Sequence, residues 1–434
     1  MKEQQKDKLG FKELVAMGVG GMVGGGIFSV LGLAVGLAGH AAPIAFSLGG
    51  IVALLTGWSY ARLGLTFHSA GGSFTYMEHA YRHRNVAALG GWLLLAGYIG
   101  TLALYSYTFG VYGSVIVGGS SHGPFLQHLL ASGILIIFLG LNLYSVKATG
   151  GIEDLIVIVK VLILSLFAAV GLFSVKTDHL LPVFDQGQLG MLMGAALIFV
   201  AYEGFELIPN AVNDMKNPQR DLPRAIMFSI LLTIVIYILV SLVAVGNLLP
   251  DQIVKYKESA LAVAAKPFLG HAGFVLIGLG ALLSTASAIN ATLFGTARLG
   301  KVMAQDEALP CVFSIKERTR DIPWVSLCII SGITIIFVNL SDLTDISSFA
   351  SSTFLLVFSS INFSAFRLRT RIDISPLIPL AGLVLCLTSW VVLCAYLWLH
   401  NPRSLKWIIV SCLAIAILEF LFSQRRLFFK KQSK

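Results

Sequence analysis

The sequence predicts an all-α polytopic membrane protein made of two inverted five-span halves followed by two further helices. Three observations predict it. The 434-residue chain is 56% hydrophobic and only 12% charged, with a mean hydropathy of +0.83, whereas soluble domains carry about 25% charged residues. About 20 apolar residues cross a hydrocarbon core of roughly 30 Å. Stretches of that kind recur near 11–38, 43–64, 86–118, 126–146, 150–174, 188–211, 223–248, 271–300, 323–340, 346–367, 375–399 and 403–423. The first and the sixth of these twelve contain helix-interrupting sequences, and paired interrupted helices in corresponding halves mark a transporter built from repeats. Five spans is an odd number, so the second half enters from the opposite side. The halves run over 11–174 and 188–367, spans 11 and 12 over 375–423, and tails over 1–10 and 424–434.

The first span holds Gly18, Gly20, Gly21, Gly24, Gly25 and Gly26 within nine residues. Glycine in a helix interior is about 1 kcal/mol worse than alanine, so the cluster predicts either unwinding or a small-residue packing face. Gly20 with Gly24, and Gly21 with Gly25, fit the packing spacing; three consecutive glycines favour unwinding. An unwound segment followed by a half-helix offers N–H groups and a positive dipole end to a carboxylate. After the second span, Ala70-Gly71-Gly72-Ser73-Phe74 predicts a break and a short cytoplasmic helix.

In the fifth span Lys160 stands inside the apolar run Leu155 to Leu164, with no acid within five positions on either side. An ionisable residue at membrane depth is a functional-site hypothesis by default. Desolvation disfavours the charged form of such a lysine, which would let it load and release a proton. Protonated, it would tie the fifth span to carbonyls around Gly18 to Gly21; deprotonated, it would release them. The competing reading is a permanent structural cation. Ser284 and Ser287 on the eighth span are candidate neighbours.

The sixth span carries Phe199-Val200-Ala201-Tyr202-Glu203-Gly204-Phe205-Glu206, followed by Pro209. Glu203 and Glu206 must face protein or water, because a carboxylate facing lipid is prohibitive. Unwound carbonyls here would accept an ammonium, and the aromatics would line or gate a pocket. Either glutamate could instead bond freed backbone N–H groups, and both readings stay open. Further on, 249–270 predicts an outer loop with a short helix, and 301–322 a cytoplasmic linker.

The net charge of +9 does not mark a nucleic-acid binder, because the basic residues lie between spans. With the N-terminus in the cytoplasm, 24 of the 31 Lys and Arg fall inside, six outside, and Lys160 within the membrane. The inside set includes Lys2, Lys6, Lys8, Arg82, Arg84, Arg298, Lys316, Arg318, Arg320, Arg367, Arg369, Arg371, Arg425, Arg426 and Lys430. This bias places both termini in the cytoplasm, in a cell's inner or plasma membrane. The five cysteines show no metal spacing and read as small buried hydrophobes. The nine histidines, His122 among them, lie mostly in loops or at span ends. No hydrolase, zincin or phosphate-loop pattern appears, so no enzyme, cofactor or metal site is expected.

Gly24-Gly25-Gly26-Ile27-Phe28, Ala70-Gly71-Gly72-Ser73-Phe74, the sixth-span run and Asn217-Pro218-Gln219-Arg220-Asp221-Leu222-Pro223-Arg224-Ala225-Ile226 together resemble the amino acid–polyamine–organocation superfamily. The resemblance runs from about residue 8 to 370, and it is closest to the proton-coupled amino acid transporters. It implies a leucine-transporter-like fold. In that fold the substrate carboxylate meets backbone after the first break, here Gly24, Gly25 and Gly26. The ammonium meets carbonyls, here those of Met22, Phe199, Val200 and Glu203, with Tyr202 beside them. Many relatives carry a hydroxyl residue near Gly25, which glycine removes. The resemblance also implies that Lys160 occupies the cation position of sodium-coupled relatives.

The expected function is proton-coupled symport of L-amino acids by alternating access, in a monomer or homodimer within the lipid bilayer, with no nucleic-acid partner. The alternative is a sodium- and proton-independent exchanger; a channel or a structural membrane partner is more remote.

Overall fold

The computed structural model describes residues 8–69, 71–81, 83–118, 124–144, 150–317 and 322–429. Ala70, Arg82, His122, Arg318 and Arg320 lie outside the described residues, as do most of the tails, including Lys2, Lys6 and Lys430. The helices are α1 (Phe11–Met22), α2 (Gly26–Ala38), α3 (Ala42–Thr66), α4 (Gly72–Ala80), α5 (Arg84–Gly118), α6 (Pro124–Tyr144), α7 (Gly150–Leu172) and α8 (Gly187–Leu197). Two 3₁₀ segments follow, Ile198–Tyr202 and Phe205–Asp214. Then come α9 (Pro218–Asn247), α10 (Pro250–Lys255), α11 (Ala260–Gln305), α12 (Trp324–Leu340), α13 (Leu343–Arg367), α14 (Arg369–Ile372), α15 (Leu377–His400) and α16 (Pro402–Phe429).

Among the described residues ten helical segments are long and apolar enough to cross a membrane, where twelve spans are expected. Two features account for the difference. Gly26–Thr66 is continuous by that measure, although the chain reverses at Gly39 (φ 56°, ψ −130°) between α2 and α3. The α12 helix is apolar but has only 17 residues. The expected short helix after the glycine pair is α4, and the one in the outer loop is α10.

Both broken spans lie in the interior. The α1 helix packs on α9 and α7, α11 on α5 and α7, and α3 on α9. Large apolar side chains such as Ile136, Leu162, Val391 and Trp407 stay exposed on α6, α7, α15 and α16, as helices facing lipid do. Before α1, Leu9 pairs in parallel with Met215: its N–H donates to Asp214 O at 2.8 Å, and its carbonyl accepts from Lys216 N at 2.9 Å. At the other end of the bundle, His40 N donates to Asp185 Oδ1 at 3.0 Å and its ring pairs with Oδ2 at 3.2 Å. The ends of the two broken spans are thereby tied to each other.

The glycine cluster turns out to do two things. The α1 helix continues through Gly18, Gly20 and Gly21, and only Val23, Gly24 and Gly25 leave helical structure, a shorter unwinding than the cluster suggests. The glycines before the break are contact positions. A Cβ on Gly21 would lie 2.9 Å from Gly204 Cα. Gly204 itself sits at φ 126°, a conformation that only glycine adopts readily. At the start of α2, a Cβ on Gly26 would lie 2.8 Å from Ala201 Cα. The two breaks therefore touch backbone to backbone.

One expectation needs correcting. Of the five cysteines only Cys386 is buried; Cys394 and Cys412 are partly exposed, and Cys311 and Cys328 are exposed. Lipid can cover an apolar thiol as well as protein can, so an apolar span does not imply burial within the protein.

Candidate functional site

The first break ends α1 in a row of carbonyls without intrahelical partners, as every helix C-terminus does. Val19 O still accepts the last intrahelical bond, from Val23 N at 2.8 Å, and each carbonyl from Gly20 to Gly24 finds a side-chain donor. Gly20 O accepts from Lys160 Nζ on α7 at 2.7 Å, and Lys160 is fully buried. Gly21 O accepts from the Tyr105 hydroxyl on α5 at 3.3 Å. Met22 O accepts from the Tyr237 hydroxyl on α9 at 2.7 Å. Ser284 Oγ on α11 lies 2.5 Å from Val23 O and 2.9 Å from Gly24 O. A cation such as Lys160 is also favoured at the negative end of a helix dipole.

The sixth break is satisfied in the same manner. Ser351 Oγ on α13 donates to Leu197 O at 2.6 Å and accepts from Val200 N at 3.0 Å. The Tyr237 hydroxyl also reaches Ala201 O, at 2.9 Å, so one side chain spans both breaks. Glu206 accepts from Gly204 N at 2.8 Å through Oε2, and from the Tyr98 hydroxyl at 3.4 Å through Oε1. Glu206 thus takes the backbone-bonding option. Glu203 accepts from Thr101 on α5. Both carboxylates are buried.

The expected site residues fall into two groups. Met22, Gly24, Gly25, Gly26, Val200 and the Glu203 backbone lie at the two touching breaks, with Lys160 one helix away. Phe199 and Tyr202 direct their side chains elsewhere. The Phe199 ring meets Phe358 edge-on at 5.7 Å, in a cluster that also includes Phe205 and Tyr60. The Tyr202 hydroxyl donates to Phe46 O on α3 at 2.6 Å, and its ring lies 5.3 Å from Tyr237. The α2 side of the first break remains a backbone donor site: Gly26, Ile27 and Phe28 begin the helix, and their N–H groups have no intrahelical acceptors. The Gly25 carbonyl is already used by Ser29, whose N and Oγ donate to it at 3.0 and 2.6 Å. Among the described residues no three His, Cys, Asp or Glu side chains come together as a metal site would require.

Sequence reasoning missed Tyr105, Tyr237, Thr101, Tyr98 and Ser351, yet for all but Ser351 a spacing signal was present. Tyr98, Thr101 and Tyr105 follow one another at three and four residues, on one face of α5. Ser229, Thr233, Tyr237 and Ser241 recur every four residues in α9, and all are fully buried.

The sequence profile of the amino acid permease family matches residues 9–426. The chain is 33% identical over 421 residues to an uncharacterized protein of Methanocaldococcus jannaschii, covering 97% of this chain and 96% of the other. It is 32% identical over 418 residues to the inner membrane transport protein YbaT of Escherichia coli, covering 96% and 97%. A third relative is the serine/threonine exchanger SteT of Bacillus subtilis, 26% identical over 379 residues and 84% of each chain.

Replacing Tyr237 with phenylalanine removes the donor that spans both breaks and leaves Met22 O and Ala201 O without it. The expected destabilisation is about 1–3 kcal/mol, read as a lower midpoint in thermal unfolding of the detergent-purified protein. A midpoint equal to wild type would show that the bridge carries no weight.

Proposed function

The chain belongs to the amino acid permease family, and we propose that it is a secondary active transporter of L-amino acids, working by alternating access and coupled to protons through Lys160. It is an integral membrane transporter and not an enzyme. In this reading residues 11–174 and 188–367 are inverted repeats related by a pseudo-twofold axis in the membrane plane, and both termini are cytoplasmic. The substrate carboxylate binds the free N–H groups at the start of α2, around Gly24, Gly25 and Gly26. The ammonium is held by carbonyls of Met22, Phe199, Val200 and Glu203.

One observation carries the coupling: Lys160 Nζ donates to Gly20 O at 2.7 Å. Charged, the ammonium holds α7 to the end of α1, and loss of its proton weakens that hold, freeing α1 to move against α7. Tyr105, Tyr237 and Ser284 hold neighbouring carbonyls through hydroxyls, so Lys160 is the cationic member of the set. A permanent cation would make the same contact, and one relative is named as an exchanger. Sodium- and proton-independent exchange is therefore the second reading.

Two measurements test these assignments. In thermal-shift screening of the twenty amino acids, neutral L-amino acids are expected to raise the unfolding midpoint, and the matching amines without a carboxylate are not. An equal shift from such an amine would remove the carboxylate assignment. In proteoliposomes with sodium and proton gradients imposed separately, uptake is expected to follow the proton gradient alone. A charge driven by 100 mV supplies about 2.3 kcal/mol, enough to concentrate substrate roughly fiftyfold. The Lys160→Ala variant is expected to lose this accumulation while still binding substrate. Sodium-driven uptake, or exchange indifferent to both gradients, would make Lys160 a structural cation.

A further inference from the structure

The run from Asn217 to Ile226 has no part in the site between the two breaks. It opens α9, with Asn217 as N-cap and Pro218 in the first turn. Together with Trp58 of α3 it borders an open groove of roughly 530 Å³, whose other lining residues are Gln219, Arg220, Pro223, Arg224 and Met227. Arg220 and Arg224 are exposed and four positions apart, so they share one face of α9. Among the described residues no ion pair or hydrogen bond engages either guanidinium. The nearest acids in sequence do not line the groove: Asp221 is buried, and Asp214 precedes α9 at the backbone pairing with Leu9.

The same face of α9 changes character along its length. Beyond Arg224 the exposed residues are Phe228, Leu231 and Val235, at 49%, 49% and 51% exposure. Two exposed arginines are thus followed by an uninterrupted apolar stripe, and Trp58 stands beside the boundary between them. Tryptophan favours the headgroup level of a bilayer. A soluble anion would use the arginines and ignore the stripe, whereas an acyl chain would ignore the arginines. A molecule carrying both a phosphate and acyl chains matches both, and basic pockets between membrane helices are suited to anionic headgroups.

We propose that this groove binds an anionic phospholipid, with Arg220 and Arg224 on the headgroup phosphate and an acyl chain along Phe228, Leu231 and Val235. The bound lipid would abut the segment that joins the sixth span to α9, where Met215 pairs with Leu9. It would therefore stabilise the pairing of Leu9 with Met215 at the bundle end where α1 and α9 begin.

The test is thermal unfolding of the full-length protein in detergent, titrated separately with short-chain phosphatidylglycerol, short-chain phosphatidylcholine and inorganic phosphate. Phosphatidylglycerol is expected to raise the midpoint and the other two to leave it unchanged. An Arg220→Gln/Arg224→Gln variant is expected to need about thirtyfold more phosphatidylglycerol for the same shift. An Arg369→Gln/Arg371→Gln control, at a separate basic segment, is expected to respond as wild type does. Native mass spectrometry of wild type from mixed micelles adds a readout independent of any variant and should show phosphatidylglycerol retained over phosphatidylcholine. An equal response to phosphatidylcholine, a shift from inorganic phosphate alone, an undiminished response in the Arg220/Arg224 variant, or no lipid preference in mass spectrometry would overturn the proposal.

Discussion

A backbone group released from a helix inside an apolar surround must find a new partner, at a penalty of several kcal/mol if it does not. Two helices of this protein are interrupted in its interior, and much of the central packing follows from that constraint. The carbonyls that close α1 draw side chains from α5, α7, α9 and α11. The sixth span draws on α9 and α13 and on its own Glu206. Each helix surrounding the breaks delivers a polar group to one or two defined backbone atoms.

The same constraint makes the breaks usable. A helix interrupted in lipid could not be tolerated; in the proposed reading a substrate ammonium replaces a side-chain donor at a freed carbonyl, and its carboxylate takes N–H groups at the start of α2. Gly204 and Gly21 allow the two interruptions to meet with no side chain between them. Substrate groups bound there would contact both spans at once, so that binding at one point would bear on both. Among the donors to the first break, Lys160 differs in kind: it donates through an amine, and Tyr105, Tyr237 and Ser284 donate through hydroxyls.

Much of this was legible in the sequence, and what was not has a physical reason. Lys160, Glu203 and Glu206 stood out because an ionisable group interrupts an apolar run, and the two breaks stood out because glycine and proline interrupt a helix. Tyr237 and Ser351 did not, since a hydroxyl barely alters local hydropathy and each acts on a backbone atom far away in the chain. The extent of unwinding was overestimated for a related reason. Six clustered glycines look alike in a sequence, yet Gly21 remains in a helix and serves close contact with Gly204, while Gly24 and Gly25 form the break. The orientation of Tyr202 was likewise hidden, because nothing local shows that Phe46 O on α3 is within reach of its hydroxyl.

The most direct test of the central claim reverses the driving force, so that the substrate gradient moves the proton. Proteoliposomes containing a pH-sensitive dye, with the membrane potential clamped and no proton gradient imposed, are given a neutral L-amino acid on the outside only. If Lys160 links the proton to the substrate, the inward amino acid gradient must acidify the lumen in the wild-type protein and fail to do so in Lys160→Ala. Substrate entry with no change in lumenal pH, or equal acidification with and without the lysine, would contradict the account.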